Sequence, residues 1–350
     1  MIREAARDAI DRGATRYTAT EGILPLRTAI AEAATARRKL SGHSDTITPA
    51  DVVVSNGSKQ SLFNACFALF GPGDEVLIPS PSWTSYYEMV SLARATAVPV
   101  HGDPARGFKV TPSELAAAAT SASRGLMLNS PVNPTGSIYS RAELASLLAF
   151  ARERGLWVLS DEIYRRICYA GDAASALDVA ESRDRLVVVD GIAKAYAMTG
   201  WRIGWTISTV ALAKAMTAFQ SHTTFNPSSV YQAAAVAAVT GGAAVDQTVN
   251  TMVAEFKKRR DAALVILGTE PSIRVNPPDG AFYLFIQAPG AGRVPNAGTL
   301  FANRLLEEQD VAVVAGAAFE APDWIRVSYA TDLAQVETAM HRIVTAFRSA

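Results

Sequence analysis

Cysteine and histidine are scarce in this sequence. Two of its 350 residues are Cys and four are His. Cys66 and Cys168 lie in apolar surroundings without a CxxC pattern, which favours buried thiols in a reducing compartment over disulfide bonds. The histidines show no metal-ligand spacing, so the sequence predicts no metal site.

Net charge and long apolar runs are also absent. Thirty-three basic and 33 acidic residues give a formal net charge of zero, so no global field attracts nucleic acid or anionic lipid. We find no apolar run of 18 residues, and the charged helical pattern after Met1 differs from that of a signal peptide. We therefore expect a cytoplasmic protein that binds neither membranes nor nucleic acid.

The sequence does contain many short apolar segments separated by helical patterns. Segments such as EVLIPS, LMLNS and LVVVD predict strands buried on both faces, and capping boxes at Thr111 and Ser140 predict helix starts between them. This alternation predicts a large α/β domain over residues 1–252, with a mostly parallel sheet between two helical layers. Residues 253–350 are predicted to form a smaller α+β domain.

Six polar stretches follow or interrupt these apolar runs. They are SNGSKQ (55–60), PSPSW (79–83), NSPVNPTG (129–136), SDEIY (160–164), DGIAKAYAMTGWRIGW (190–205) and WIRVSYA (324–330). Taken alone, Lys194 in the fifth stretch is typical of a solvated loop charge. Six such stretches together are difficult to assign to packing, and they indicate a shared site.

In order, spacing and residue identity, these stretches resemble the class I/II family of fold-type I aminotransferases, which depend on pyridoxal 5'-phosphate (PLP). The segments GSKQ, NPTG, SDEIY and AKAYAMTGWRIG are most similar to those of the bacterial aspartate and prephenate aminotransferase subgroup. The resemblance covers about residues 2–345. It implies the PLP-transferase fold, PLP as cofactor, an amino acid and a 2-oxo acid as substrates, and a homodimer.

The resemblance gives three residues catalytic roles. The amine of Lys194 forms a carbon–nitrogen double bond with the cofactor aldehyde and then moves a proton on the substrate. Asp161 faces the ring nitrogen and keeps it protonated, although from the residues alone it fits equally well as a cap of the next helix. Tyr164 is expected to bind the ring hydroxyl oxygen, together with Asn133. Trp83 is expected to stack on the ring.

A second group of residues is implied to bind the cofactor phosphate. Gly57, Ser58 and Lys59 form a turn at a predicted helix start, where backbone N–H groups favour anions. Arg202 matches the family arginine that binds the same phosphate with two donors. Tyr17 matches the tyrosine that reaches this phosphate from the neighbouring subunit.

The substrate-binding residues implied by the resemblance are Arg326, Asn133, Trp83 and Lys59. Arg326 lies in an apolar strand and matches the arginine that binds the substrate α-carboxylate. Asn133 is implied to bind the same carboxylate. Lys59 would favour an acidic side chain such as that of aspartate. The family pattern also predicts a cis peptide bond before Pro134.

The sequence departs from the family in two places. Family members begin with a further segment that includes an N-terminal arm and a loop over the substrate, and this chain starts after it, through either a mis-assigned start codon or a natural loss. We expect effects on substrate choice, dimer strength and activity. Gly191 replaces the serine that many relatives use as a phosphate donor, which predicts modestly weaker phosphate binding.

The leading hypothesis is an aminotransferase that moves the amino group of L-aspartate to a 2-oxo acid such as 2-oxoglutarate. Three alternatives remain open. They are an aromatic or prephenate aminotransferase, a PLP-dependent lyase, and a PLP-binding relic without turnover.

Overall fold

A seven-stranded sheet forms the centre of the molecule in our computed structural model, which describes residues 1–171 and 173–349. Its strands are β1 (Val52–Ser55), β2 (Glu75–Ser80), β3 (Thr96–His101), β4 (Ser123–Asn129), β5 (Trp157–Asp161), β6 (Leu186–Gly191) and β7 (Gly204–Ile207). The order across the sheet is β1-β7-β6-β5-β4-β2-β3, and β7 runs antiparallel to both of its neighbours. The other strand pairs are parallel. The prediction of an α/β fold with a mostly parallel sheet is therefore confirmed.

Helices cover both faces of this sheet because its strands are apolar on both sides. On β6, Val188 packs into one hydrophobic cluster with the helical residues Leu26 and Leu144, whereas Val187 and Val189 pack into another with Leu62 and Tyr86. The helices of this part of the chain are α1 (Ile2–Asp11), α2 (Leu24–Leu40), α3 (Ser58–Leu69), α4 (Ser85–Leu92), α5 (Pro112–Ala118), α6 (Arg141–Glu153), α7 (Ala176–Val179), α8 (Val210–Ser221) and α9 (Ser229–Thr240). Capping boxes begin α5 and α6, as predicted from Thr111 and Ser140.

A second, antiparallel sheet follows in the chain. Its strands are β8 (Val275–Asn276), β9 (Tyr283–Gln287), β10 (Val314–Ala315) and β11 (Trp324–Ser328), in the order β10-β11-β9-β8. Three helices accompany it: α10 (Gly242–Leu267), α11 (Ala297–Gln309) and α12 (Leu333–Arg348). A separate hydrophobic cluster joins this sheet to Phe256 of α10, Leu305 of α11 and Met340 of α12.

The cis peptide bonds do not lie where the family pattern predicted one. They precede Pro81 and Pro131, so the cis bond of the NSPVNPTG stretch is Ser130–Pro131 and the prediction for Asn133–Pro134 is wrong. The chain after Ser130 turns back through a hydrogen bond from the Gly136 N–H to the Val132 carbonyl oxygen, 2.8 Å long. Asn133 lies inside this turn.

The described residues contain neither a helix that could span a membrane nor a cluster of metal-binding side chains. None of the helices in the described parts of the chain is long and apolar enough to cross a membrane. Across residues 1–171 and 173–349, no group of His, Cys, Asp and Glu side chains could hold a metal ion.

Candidate active site

The carboxyl ends of β4, β5 and β6 bring the polar stretches together. Asn129 ends β4 and lies opposite Asp161, which ends β5. The Asn129 amide donates to the Asp161 carbonyl oxygen at 2.9 Å, and its side-chain oxygen accepts from the Asn133 N–H at 2.9 Å. Asn129 thus fixes the loop carrying Asn133 to the strand carrying Asp161, at the sheet edge where α/β proteins bind ligands.

Asp161 is a buried carboxyl group held by two donors. Its side chain is almost inaccessible, with a relative exposure of 2%. The hydroxyl of Tyr86 donates to its Oδ2 at 2.7 Å, and the Ile163 N–H donates to its Oδ1 at 3.2 Å. Burial raises the pKa of Asp161 to about 6, against the opposing effect of these two donors. One oxygen therefore caps the turn that follows β5, and the other accepts from Tyr86.

Lys194 lies in the loop between β6 and β7. Its Nζ is 5.7 Å from the ring centroid of Tyr164 and 5.6 Å from that of Phe282. Burial, followed by the positive charges of Arg202 and Arg326, lowers the pKa of this amine, and the charge of Asp161 opposes them. A lowered pKa increases the neutral, nucleophilic fraction of a lysine.

Glycines allow β7 to approach the start of α3 closely. Gly57 precedes α3 with φ of +87°, and a Cβ atom there would lie 2.5 Å from Nη2 of Arg202. A Cβ atom on Gly204 would lie 2.2 Å from the backbone nitrogen of Ser58. The N–H groups of the first helical turn and the Arg202 guanidinium therefore meet at one place, which suits an anion.

Arg202 is oriented by carbonyl oxygens. It adopts a left-handed backbone conformation with φ of 54°. Its Nη1 donates to the Thr199 carbonyl oxygen at 2.9 Å and its Nη2 to the Asn56 carbonyl oxygen at 3.3 Å. Within residues 1–171 and 173–349 we find no carboxylate paired with this exposed side chain, so its charge remains available to a phosphate.

Arg326 carries the second cationic group of the site. Its Nη1 donates to the side-chain oxygen of Asn133 at 2.8 Å. Its Cζ lies 4.5 Å from the ring centroid of Tyr283 and 4.8 Å from that of Phe319. Its buried Nε has no hydrogen-bond partner among the described residues. An unsatisfied buried donor on a guanidinium is costly, and a ligand carboxylate would satisfy it.

Trp83 and Lys59 form a pair beside Tyr86. The Nζ atom of Lys59 lies 4.8 Å from the Trp83 ring centroid, at a distance suited to a cation–π contact. Trp83 meets Tyr86 edge to face, with ring centroids 5.4 Å apart. Since Tyr86 binds Asp161, this pair lies close to the buried carboxyl group.

Two residues that were predicted to bind the cofactor, Tyr164 and Tyr17, contact other aromatic side chains within the chain. Tyr164 is buried, and its hydroxyl shares a 2.8 Å hydrogen bond with that of Tyr283. Tyr17 is 85% exposed and meets Phe225 edge to face at 5.3 Å. Its predicted contact with a partner subunit lies beyond one chain.

Sequence reasoning missed three residues of this site. They are Tyr86, which binds Asp161, Asn129, which holds the Asn133 loop, and Tyr283, which contacts Tyr164. Asn129 stands in the NSPVNPTG stretch, and its place at a strand end was the available signal.

Comparisons with known proteins show the family of this chain. The family model for aminotransferase class I and II matches residues 1–343. The chain belongs to that family. The aspartate/prephenate aminotransferase of Cereibacter sphaeroides is 41% identical over 340 residues, which cover 94% of this chain and 83% of the relative. The aspartate aminotransferase of Thermotoga maritima is 38% identical over 343 residues, covering 98% and 86%.

Solved structures of this aminotransferase family share the fold. The crystal structure of the Thermotoga maritima aspartate aminotransferase is 37% identical, with a TM-score of 0.90, and covers 100% of this chain and 88% of its own. The aromatic aminotransferase of Pyrococcus horikoshii is 31% identical, with a TM-score of 0.93, covering 99% and 92%. This chain is thus an aminotransferase of a PLP-dependent family.

Proposed function

We propose that this aminotransferase binds PLP at Lys194 and transfers the amino group of L-aspartate to a 2-oxo acid such as 2-oxoglutarate. The observation that carries the proposal is the electrostatic environment of the Lys194 amine. Asp161, Arg202 and Arg326 all act on its pKa, so the charges of one carboxyl group and two guanidinium groups influence a single amine. Such an arrangement suits a ligand with a basic nitrogen, a phosphate and a carboxylate.

The described residues fit PLP at two points. The turn at Gly57 and Ser58, with Arg202, offers N–H and guanidinium donors to a phosphate where glycines leave room. The buried carboxyl of Asp161 suits a protonated ring nitrogen, because a neighbouring cation lowers the pKa of a carboxyl group. When bound, the cofactor supplies an electron-withdrawing ring that stabilises negative charge on the substrate carbon.

The chain's own groups then orient the substrate and move its proton. Arg326 and Asn133 hold the α-carboxylate, which aims the Cα–H bond at the site of Lys194. The Lys194 amine, whose pKa is lowered, would act as the base that takes the proton from the substrate Cα and as the acid that gives it back. Trp83 covers the ring and excludes water.

Aspartate is the proposed donor because Lys59 places a cation beside Trp83. Two relatives named as aspartate aminotransferases support this choice. Prephenate is a second candidate acceptor, since the Cereibacter sphaeroides relative is named an aspartate/prephenate aminotransferase.

We also propose a homodimer in which Tyr17 reaches the phosphate site of the other subunit. Its 85% exposed ring supports this proposal. Sedimentation of the purified protein tests it, and a monomer at all concentrations would contradict it.

Replacing Lys194 tests the proposed cofactor site. We expect Lys194→Ala to lose the near-ultraviolet to violet absorbance of the lysine-linked cofactor and to reduce kcat by more than about 10³-fold, because its proton-transfer group is gone. The exposed Lys214→Ala, on α8, is the matched control and should retain both. A Lys194→Ala variant that keeps the absorbance band would refute the assignment.

Replacing Lys59 tests the acidic substrate. We expect Lys59→Ala to lower kcat/KM for aspartate by about 10- to 100-fold, since a charged hydrogen bond contributes about 1.5–3 kcal/mol. The value for alanine should change by less than about twofold, and Lys59→Arg should retain most aspartate activity. Equal losses for aspartate and alanine would rule out recognition of the acidic side chain.

A further inference from the structure

Tyr283 is a buried residue of β9 that contacts two groups of the site. Its relative exposure is 6%. Its hydroxyl lies 2.8 Å from that of Tyr164, and the Arg326 guanidinium lies over its ring at 4.5 Å. One side chain therefore meets both the proposed cofactor-binding tyrosine and the proposed carboxylate-binding arginine.

The strand register explains how Tyr283 reaches Arg326. In the antiparallel pair of β9 and β11, Arg326 lies opposite Phe285, and Tyr283 is two residues from Phe285 on the same face of β9. Tyr283 is thus the diagonal neighbour of Arg326, a position within reach of a long side chain. The Phe319 ring lies on the guanidinium as well, at 4.8 Å.

We infer that Tyr283 is a positioning residue: its hydroxyl orients Tyr164 and its ring orients Arg326, so that it couples the cofactor end of the site to the carboxylate end. This inference rests on the proposed function. Tyr283 lies outside the sequence motifs, and its contacts connect the second sheet with the loop that follows β5.

The hydroxyl acts through the hydrogen-bond capacity of Tyr164. A tyrosine hydroxyl has one hydrogen to donate and lone pairs to accept. If Tyr283 donates to Tyr164, the hydrogen of Tyr164 stays free for a ligand oxygen, and the chain of two hydroxyls strengthens that donor. Both hydroxyls are buried, so water does not readily replace either partner.

The ring acts on Arg326 by a different force. Only Nη1 of Arg326 is tied to a protein oxygen in the site, that of Asn133, and its Nε has no partner in the described parts of the chain. The faces of Tyr283 and Phe319 therefore determine where the guanidinium lies. Loss of the Tyr283 ring would leave one of these two faces empty.

Two substitutions separate the two actions. Tyr283→Phe removes the hydroxyl and keeps the ring, whereas Tyr283→Leu removes both. Phe301→Leu is the control, because Phe301 is buried in the same hydrophobic cluster, packed on Phe347. Three measurements on the cofactor-loaded protein distinguish these variants. They are the pH midpoint at which the absorbance of the lysine-linked cofactor changes, the Kd of succinate as an unreactive dicarboxylate, and kcat and KM for aspartate.

Tyr283→Phe should raise the pH midpoint of the absorbance change by about 0.5 unit and lower kcat by about fivefold. Without the Tyr283 hydroxyl, Tyr164 is a weaker hydrogen-bond donor to the anionic ring oxygen of the cofactor, and that oxygen becomes a better proton acceptor. Its succinate Kd should stay within about twofold of wild type. Tyr283→Leu should show the same midpoint shift and, in addition, an increase of about tenfold in succinate Kd and aspartate KM.

Two outcomes overturn the inference. One is an unchanged midpoint and kcat in Tyr283→Phe. The other is a succinate Kd in Tyr283→Leu that matches that of Phe301→Leu. Failure of the proposed function is distinguishable, because wild-type protein would then show neither the cofactor absorbance nor any transamination.

Discussion

The acidity of one carboxyl group, that of Asp161, depends in part on a buried tyrosine. Tyr86 is 1% exposed and donates to Oδ2 of Asp161. This bond opposes the effect of burial, which raises the pKa of Asp161 to about 6. The residue that adjusts the acidity of Asp161 thus comes from α4, far away in the sequence.

Tyr86→Phe should therefore raise the pKa of Asp161 further. A lost hydrogen bond to a carboxylate corresponds to about 1 kcal/mol, or about 0.7 pH unit. We expect the pH at which the apoprotein gains affinity for PLP to rise by that amount, as measured by equilibrium titration between pH 5.5 and 8.5. Tyr139→Phe, which removes an equally buried hydroxyl elsewhere, should leave it unchanged. An unshifted pH dependence in Tyr86→Phe would contradict this role.

At the residue scale, the motifs contain the side chains that we propose to carry the chemistry, but not the side chains that contact and orient them. Lys194, Asp161 and Arg326 stand in recognisable stretches. Tyr86 and Tyr283 act through contacts across 75 and 119 residues of sequence. A buried aromatic residue looks the same in a sequence whether its hydroxyl binds a site residue or not.

At the scale of elements, the close crossing of β7 and α3 brings together the groups that we propose to bind the phosphate. The backbone of Gly204 passes the first turn of α3 without room for a side chain. Helix starts with capping boxes, at Pro112 and Arg141, were predictable because their signals are local. The antiparallel direction of β7 was not, because it depends on pairing with β1 and β6.

Gly204→Ala should separate β7 from α3. Its Cβ would lie 2.2 Å from the Ser58 nitrogen, and backbone atoms must move to accept it. We expect a loss of about 1–3 kcal/mol in the free energy of unfolding, and a PLP Kd at least about tenfold higher. Urea unfolding and PLP titration measure the two effects. Gly71→Ala, where a Cβ meets open space, should change neither; an equal effect of both substitutions would argue against the close crossing.

On the scale of the whole molecule, burial of Glu162 makes stability depend on pH. Burial raises the pKa of Glu162 to about 7, although Arg165 and the donors of Ser175 and Ala176 oppose it. The folded state then holds its proton more tightly than the unfolded state. The contribution of Glu162 to the free energy of unfolding is fully present below about pH 4.5. As the pH rises to about 7, this contribution falls by up to about 3 kcal/mol.

Glu162→Gln should remove this loss of stability at higher pH. Glutamine keeps an acceptor for the Ala176 N–H and does not ionise. Relative to wild type, the variant should become more stable by up to about 3 kcal/mol between pH 5 and pH 8, as measured by urea unfolding of the apoprotein. Glu255→Gln, on the exposed face of α10, controls for removal of a charge. A constant difference between Glu162→Gln and wild type across this range would contradict the raised pKa.

We propose that the chain divides near residue 252, inside α10, into the two domains expected from the sequence, residues 1–252 and 253–350. Val245 and Val249 of this helix pack with Ala195 near the lysine, whereas Phe256 packs in the cluster of the second sheet. The change of packing partner along one continuous helix supports this boundary.

The loop between β6 and β7 is anchored at both ends by the pairing of Gly191 with Gly204. Lys194 lies near its entrance and Arg202 near its exit. Neither strand can slide to absorb an inserted or deleted residue, because such a slip reverses the two faces of the sheet. The register therefore fixes both ends of this loop, and an inserted or deleted residue between Lys194 and Arg202 would have to be absorbed by the loop itself, at the cost of the spacing between the amine and the guanidinium.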